Sequence, residues 1–178
     1  MTIGFALLLN NECHNFIRQM QLEIHQTTGI ALPRQTPHIT IKSPFEVDEV
    51  KHFVQYVEDL ALNTKPIPID FKGFGSFDDK VIFLDVMQNQ KLLNLHWKIL
   101  SNLKDKFGVE PHELEGENVK FHASIAGFAH HQTFLQVHDH LSQYQPRFSF
   151  TAKEMGIFLH IGEGQGWIVN RRVHFGNG

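Results

Sequence analysis

Among the places where a histidine is followed two residues later by a hydroxyl side chain, two stand out in this chain of 178 residues, His38-Ile39-Thr40 and His122-Ala123-Ser124. Each copy falls on a segment that reads as a strand, and the two lie close to half the chain apart. A helix–strand–helix–strand–strand series occurs twice around them, with the tripeptide on the middle strand each time. That regularity constrains the fold more than any bulk property. It predicts an internal duplication about a pseudo-twofold axis, and no linker is long or polar enough to separate two independent domains. The expectation is one bilobal unit over residues 1–178.

The series rests on local signals. Phe5 to Leu9 is a short apolar run of strand type. Asn10 and Asn11 offer a helix cap, and Cys13, Ile17, Met20 and Ile24 follow at the spacing of one helix face, as far as Thr28-Gly29. Pro33 and Pro37 bracket a loop, Ile39 to Ile41 reads as a strand, and Ser43-Pro44 is expected to stop it. Asp48 is the expected cap of a second helix with Val50, Phe53, Val54, Val57 and Leu60-Ala61 inward, and Lys65 to Pro68 form a linker. Ile69 to Phe77 and Val81 to Met87 read as strands joined at Asp78-Asp79. A helix from Gln90 to Phe107, closed by Gly108, turns Leu92, Leu95, Ile99 and Leu103 inward. Val119 to Ala126 is the second motif strand. Thr133 to Tyr144 is a helix with Phe134, Val137 and Leu141 inward. Phe148 to Ile161, with room for a bend, and Trp167 to Phe175 are the last strands. The glycine-rich Gly162-Glu163-Gly164-Gln165-Gly166 between them lacks the spacing of a phosphate cradle and does not lead into a helix, so it reads as a hairpin loop.

Strand parity gives the two tripeptides their chemical meaning. Residues i and i+2 project from one face, so His38 shares a face with Thr40, and His122 with Ser124, while Ile39 and Ala123 point into the packing. Cleaving a phosphodiester needs one group to take a proton from the nucleophile and another to protonate the leaving oxygen. Histidine, with an ordinary pKa near 6.5, does either at neutral pH. The hydroxyls of Thr40 and Ser124 are placed to donate to non-bridging phosphate oxygens. A single such tripeptide is common by chance; two in matching places of a repeated element order make a paired acid–base site.

Composition narrows the remaining classes. A formal net charge of −3 argues against binding long duplex nucleic acid, which needs a broad basic surface, but leaves room for a pocket taking one nucleotide or an RNA end. There are thirteen histidines but no H-E-x-x-H and no paired cysteines, so no metal motif and no cofactor motif is present. His130, His131, His138 and His140 read as a solvated helix flank. Cys13 is the lone cysteine, which excludes an internal disulfide and suits a reducing cytoplasm. The first ten residues lack a basic region and a long apolar run, so no signal peptide is expected there, and no apolar run is long enough to span a bilayer. A monomer is the simplest expectation.

Pro37-His38-Ile39-Thr40-Ile41-Lys42 and Phe121-His122-Ala123-Ser124-Ile125-Ala126 resemble the two signature motifs of the 2H phosphoesterase superfamily. The whole element order resembles its RNA 2′,3′-cyclic phosphodiesterase, or 2′-5′ RNA ligase-like, branch. The resemblance implies an α+β bilobal fold, with antiparallel sheets lining a central groove and helices packed outside. It implies metal-independent hydrolysis of 2′,3′-cyclic phosphate ends of RNA, of small cyclic nucleotides or of 2′-5′ linkages. Carried over, His38 is the general acid and His122 the base that activates water, with Thr40 and Ser124 on the phosphate; the near-symmetry of the two halves leaves that polarity unchecked. The second motif carries Ser where Thr is more frequent. A basic residue often follows that motif in the family, and here Ala126-Gly127-Phe128 offers none. Lys42 shares the face of His38 and Thr40, so it is a candidate phosphate ligand. Arg171 and Arg172 are weaker candidates, read first as surface charges, and Phe158 and Trp167 are read as core before base-stacking. Two readings of other classes stay open. One is a module that binds RNA ends or nucleotides without efficient turnover, and the other is a histidine-rich metal protein.

Overall fold

The computed structural model describes residues 1–162 and 164–176. In chain order the elements are β1 (Thr2–Leu8), α1 (Asn11–Thr28), β2 (His38–Glu46), α2 (Lys51–Leu62), β3 (Ile67–Phe77) and β4 (Val81–Val86). Then come α3 (Gln90–Phe107), a 3-10 turn (Gly116–Asn118), β5 (His122–Gly127), α4 (His131–Leu141), β6 (Arg147–Ala152), β7 (Glu154–His160) and β8 (Trp167–His174). The strands form two antiparallel four-stranded sheets, ordered β2-β1-β7-β8 and β5-β4-β3-β6. Each sheet thus carries its histidine strand at one edge, and these two edge strands, β2 and β5, lie against each other. The architecture is α+β and two-lobed, with matched sheets related as the duplication predicts.

The helices exchange sheets. α1 joins two strands of the first sheet but packs on the second: its buried Gln21 amide donates to the Ile125 carbonyl of β5 at 3.1 Å, and Phe16 meets Phe74 and Phe148. Conversely, α3 joins two strands of the second sheet but packs on β2, where His96 Nδ1 lies 2.7 Å from the Ile41 carbonyl. This exchange merges both lobes into one continuous apolar core running from Ile3 and Ile17 to Ile82, Leu103 and Ala123. α1 has the expected Asn10 cap, whose side chain accepts from Cys13 N, and the expected left-handed Gly29 at its end. Burial in α1 drives the Cys13 thiol up to about 12, which leaves it protonated and inert.

Several boundaries differ from expectation for identifiable reasons. β2 does not stop at Ser43-Pro44 but continues to Glu46. Proline lacks a donor, yet β2 is an edge strand, and its register to β1 shifts between the Ile3–Phe45 and Phe5–Lys42 pairs, so a bulge absorbs the residue. α2 begins after Val50 without a side-chain cap, and Asp48 lies upstream of it. The run from Phe148 to Ile161 is two strands. It breaks at Lys153 because β6 pairs with β3 in one sheet while β7 pairs with β1 in the other. Asp78 and Asp79 both adopt positive φ, as the tight turn between β3 and β4 requires. β7 and β8 pair antiparallel on either side of the glycine-rich loop, of which Glu163 lies outside the described residues.

Candidate active site

His38 and His122 are the first residues of β2 and β5. Both imidazoles are held in the same way. His38 Nδ1 donates to the Thr36 carbonyl at 2.8 Å and His122 Nδ1 to the Lys120 carbonyl at 2.7 Å, in each case two residues back along the chain. A carbonyl oxygen only accepts, so each ring carries its proton on Nδ1 when neutral, and Nε2 has no hydrogen-bond partner among the described residues, which leaves it to chemistry. The parity argument holds along both strands. Ile39, Ile41, Ala123 and Ile125 are buried, whereas His38, Thr40 and His122 are half-buried and Ser124 is exposed.

His38, Thr40 and Ser124 border one cavity of about 230 Å³, together with Gln35, Phe158 and Trp167. His122 does not border that cavity; it sits beside it, with Phe77 and Phe83 each 4.9 Å away between ring centres. The charge of His122 nonetheless reaches His38. Burial holds the His38 pKa below the ordinary histidine value, its bond to the Thr36 carbonyl opposes that, and the charge of His122 lowers it further. Burial also lowers His122; its bond to the Lys120 carbonyl pulls upward, the Lys120 ammonium downward and the Asp85 carboxylate upward.

Lys42 borders the cavity, but its ammonium is not free. Its Nζ lies 2.8 Å from Glu115 Oε2, with both side chains at most 2% exposed, and 5.2 Å from the Phe45 ring centre. Glu115 also accepts from the backbone N–H groups of Ser43 and His112, and the four groups cluster with His96, whose Nε2 accepts from Gly116 N. Burial alone would raise the Glu115 pKa; Lys42 and the two backbone donors outweigh it and hold the carboxyl below its ordinary value. The positive charge expected of Lys42 is therefore neutralised within the fold, where it ties β2 to the segment leading into β5. Ala126, its counterpart in the second half, is buried.

Arg171 is bound to Glu58, and Arg172 lies 4.0 Å from Glu154, so both arginines face acidic surface partners away from this cavity. Phe158 is 4% exposed and packs on Ala6 and Leu8, as a core residue does, yet its ring centre is also 4.5 Å from that of His38. Trp167 is half-buried on the same wall. On the α4 flank, His131 meets Asp79 and His140 meets Glu23. No group of three or more His, Cys, Asp or Glu side chains among the described residues is placed to hold a metal ion. No helix among them is long and apolar enough to cross a membrane.

Sequence reasoning missed Phe77, Phe83, Asp85, His96 and Glu115. Each acts through a neighbour on another element, and only strand register or helix packing reveals the neighbour. One signal was available: His96 falls on the helix face of Leu92, Leu95, Ile99 and Leu103, and a polar residue on an apolar face marks a buried polar contact, whereas Glu115 stands in a polar segment that offers no such sign.

Two matched edge strands, each opening on a histidine with a free Nε2, define the class, and comparison agrees with it. The sequence profile of the 2′-5′ RNA ligase superfamily matches residues 11–163, so the chain belongs to that superfamily. Among curated relatives, a Geobacillus thermodenitrificans protein named "Putative phosphoesterase" is 38% identical over 90 residues, covering 47% of this chain and 52% of the relative. A Bacillus licheniformis protein of similar name is 31% identical over 83 residues, covering 43% of this chain and 49% of the relative. The chain thus spans about half the length of the curated relatives it matches. Among solved structures, TT0787 of Thermus thermophilus aligns over 100% of this chain and 99% of its own, with a TM-score of 0.66 and 13% identity. Escherichia coli LigT, complexed with NADP+, aligns over 98% of this chain and 96% of its own, with a TM-score of 0.63 and 14% identity. At such identities the structures show a shared fold.

Proposed function

We propose that this chain is a phosphodiesterase that hydrolyses 2′,3′-cyclic phosphate ends of RNA or small cyclic nucleotides, or 2′-5′ linkages, by paired-histidine acid–base catalysis without a metal. One observation carries the reading. Two imidazoles, each anchored through Nδ1 and free at Nε2, open two edge strands that lie against each other. One ring takes a proton from water and the other delivers one to the leaving ribose oxygen, while the hydroxyls of Thr40 and Ser124 hold the phosphate oxygens. The 230 Å³ cavity beside His38 suits a small, end-on substrate such as a nucleotide or an RNA terminus.

The test is incubation with 2′,3′-cyclic nucleotides and with 2′-5′-linked dinucleotides in EDTA. Turnover in the chelator supports the proposal. Tight binding without product would make the chain a recognition module, and turnover abolished by EDTA and restored by a metal ion would make it a metalloenzyme. His38→Ala and His122→Ala are each expected to lower kcat on the order of 10² to 10⁴-fold, the usual contribution of a positioned acid or base. Normal kcat in either variant removes that residue from the pair. Turnover should trace a bell against pH, because one ring must be protonated and the other not. Burial lowers both rings, so the acidic limb is expected below about 6.5.

A further inference from the structure

The loop that leads into His38 is held from behind by one side chain. Arg18, on α1, donates from Nη1 to the Pro33 carbonyl at 2.7 Å and from Nη2 to the Gln35 carbonyl at 2.8 Å. The same Nη1 donates to the Gln21 side-chain oxygen at 2.8 Å, and the Gln21 amide in turn donates to the Ile125 carbonyl, next to Ser124. One turn of α1 therefore ties the approach to the first motif to the strand of the second. Pro33 and Pro37 fix φ at the two ends of the loop, and Arg34 Nη1 donates to the Gly164 carbonyl at 3.0 Å. A planar guanidinium with its donors spread over two carbonyls holds a loop in one geometry, which a single hydrogen bond does not.

The residue this clamp presents is Gln35. It is half-buried, and its side-chain amide has no hydrogen-bond partner among the described residues. Gln35 borders the cavity of about 230 Å³ beside His38 and also a second one of about 230 Å³, on the side of Ile125 and Gly127. His38 and Ser124 border both as well, so Gln35 stands where the two cavities meet, beside an imidazole and a hydroxyl of the motifs. Among the described residues, no acidic side chain borders either cavity. Arg18 bonds three residues of the second cavity's wall, Gln21, Pro33 and Gln35, which places its charge directly behind that wall. Lys42, Lys120, Arg171 and Arg172 each face a carboxylate. Arg18 has no such partner among the described residues, and burial lowers its pKa with no acidic neighbour to offset it. A free amide, no carboxylate and an unneutralised cation behind the wall make a place for an anion.

We propose that Gln35 is a substrate-binding residue whose side-chain amide donates to an oxygen of the anionic phosphoester where the two cavities meet, and that Arg18 is the positioning residue that holds it there. The assignment rests on the phosphodiesterase reading above, and it supplies a contact that Lys42, spent on Glu115, does not. The amide gives a directed hydrogen bond through its NH₂ group and can accept one from a ribose hydroxyl through its oxygen, so it orients the ester as well as binding it. Such a contact is made to the bound ester before attack, so it acts on binding more than on the chemical step. Arg18 touches no substrate. It keeps the loop in the conformation that binds, which lowers the ordering cost of association.

The experiment measures binding of adenosine 2′-monophosphate and of inorganic phosphate to the full chain by titration calorimetry, with KM and kcat for 2′,3′-cyclic AMP alongside. Gln35→Leu is expected to weaken both ligands on the order of tenfold, the usual worth of a hydrogen bond to a charged group, and to raise KM with kcat changed much less. Gln35→Glu sets a carboxylate against the anion and should weaken binding further. Neither variant should shift the melting temperature, because the amide has no partner inside the fold. Arg18→Lys keeps the charge but not the fork and should raise KM several-fold. Gln35→Leu added to it should cost no more than Gln35→Leu alone, since Arg18 acts through Gln35. Wild-type affinity in both Gln35 variants overturns the proposal, as does a wild type that binds neither ligand. Additive losses in the double variant, or an unchanged KM in Arg18→Lys, overturn the role of Arg18. Should Arg18→Lys fail to fold, Arg18→Gln, which still reaches one carbonyl, takes its place in the same comparison. Binding needs no turnover. Failure of the phosphodiesterase reading would therefore show separately, as a wild type that binds the nucleotide and turns over no substrate.

Discussion

Lys42→Met tests whether the buried ion pair is structural. The substitution keeps the length and apolar stem of the side chain and deletes only the ammonium. The Glu115 side chain, at most 2% exposed, would then be left with the N–H groups of Ser43 and His112 as its remaining donors. Breaking one side of a buried pair costs about 3–5 kcal/mol, because the surviving charge stays out of water without its partner. Two retained backbone donors place the expected loss at the lower end, about 3 kcal/mol. For a chain of this size that corresponds to a fall in melting temperature of roughly 6–12 °C. The loss should shrink in acid. Without Lys42 the folded-state pKa of Glu115 rises toward or above its unfolded value, so protonation relieves the variant, while the wild type loses its own pair as pH falls through the depressed value. Urea unfolding at neutral pH and at about pH 4, near the ordinary glutamate pKa, measures both effects. A neutral-pH loss under about 1 kcal/mol, the range of exposed pairs, would refute the reasoning, and so would a loss that grows in acid.

Gly75→Ala would place a Cβ 2.5 Å from Phe83 Cε2, and the Phe83 ring is itself packed on His122. The expected result is a stability loss of about 1–3 kcal/mol from overpacking, with a larger proportional fall in kcat than in substrate affinity; unchanged melting and unchanged kcat would show that the ring moves aside freely. His96 is 1% exposed and accepts from Gly116 N through Nε2, so protonation breaks that bond. Burial holds its pKa below the unfolded value, and the unfolded chain binds the extra proton first. The stability it contributes is therefore present above about pH 6.5 and is lost as pH falls toward the folded-state pKa. A urea midpoint whose decline from pH 7 to pH 5 is no shallower in His96→Gln than in the wild type would contradict this account.

What could be read from the residues alone was whatever depends on local periodicity. The helix faces of α1 and α3, the Asn10 cap and the glycine stops at 29 and 108 all follow from spacing within a single element. So does the parity that turns His38 with Thr40, and His122 with Ser124, to one side of their strands. The recurrence of the tripeptide in a repeated element order was enough to predict two matched lobes. Pairing is another matter. That β2 tolerates Pro44 depends on its being an edge strand, and that the run after Phe148 breaks at Lys153 depends on its two halves joining different sheets. A one-dimensional pattern does not carry either fact.

The candidate site divides along the same line. His38, His122, Thr40 and Ser124 stood out as residues because their chemistry and spacing are local. Lys42 stood out too, but its role was decided from afar, because Glu115 is brought against it by the packing of the segment before β5. Tertiary structure also decided the inequality of the two histidines. By their own tripeptides they are near-equivalent; cross-strand register puts a leucine beside one and an aspartate beside the other. The electrostatic work of moving a proton depends on which charges lie within a few ångströms, and sequence separation does not encode that distance.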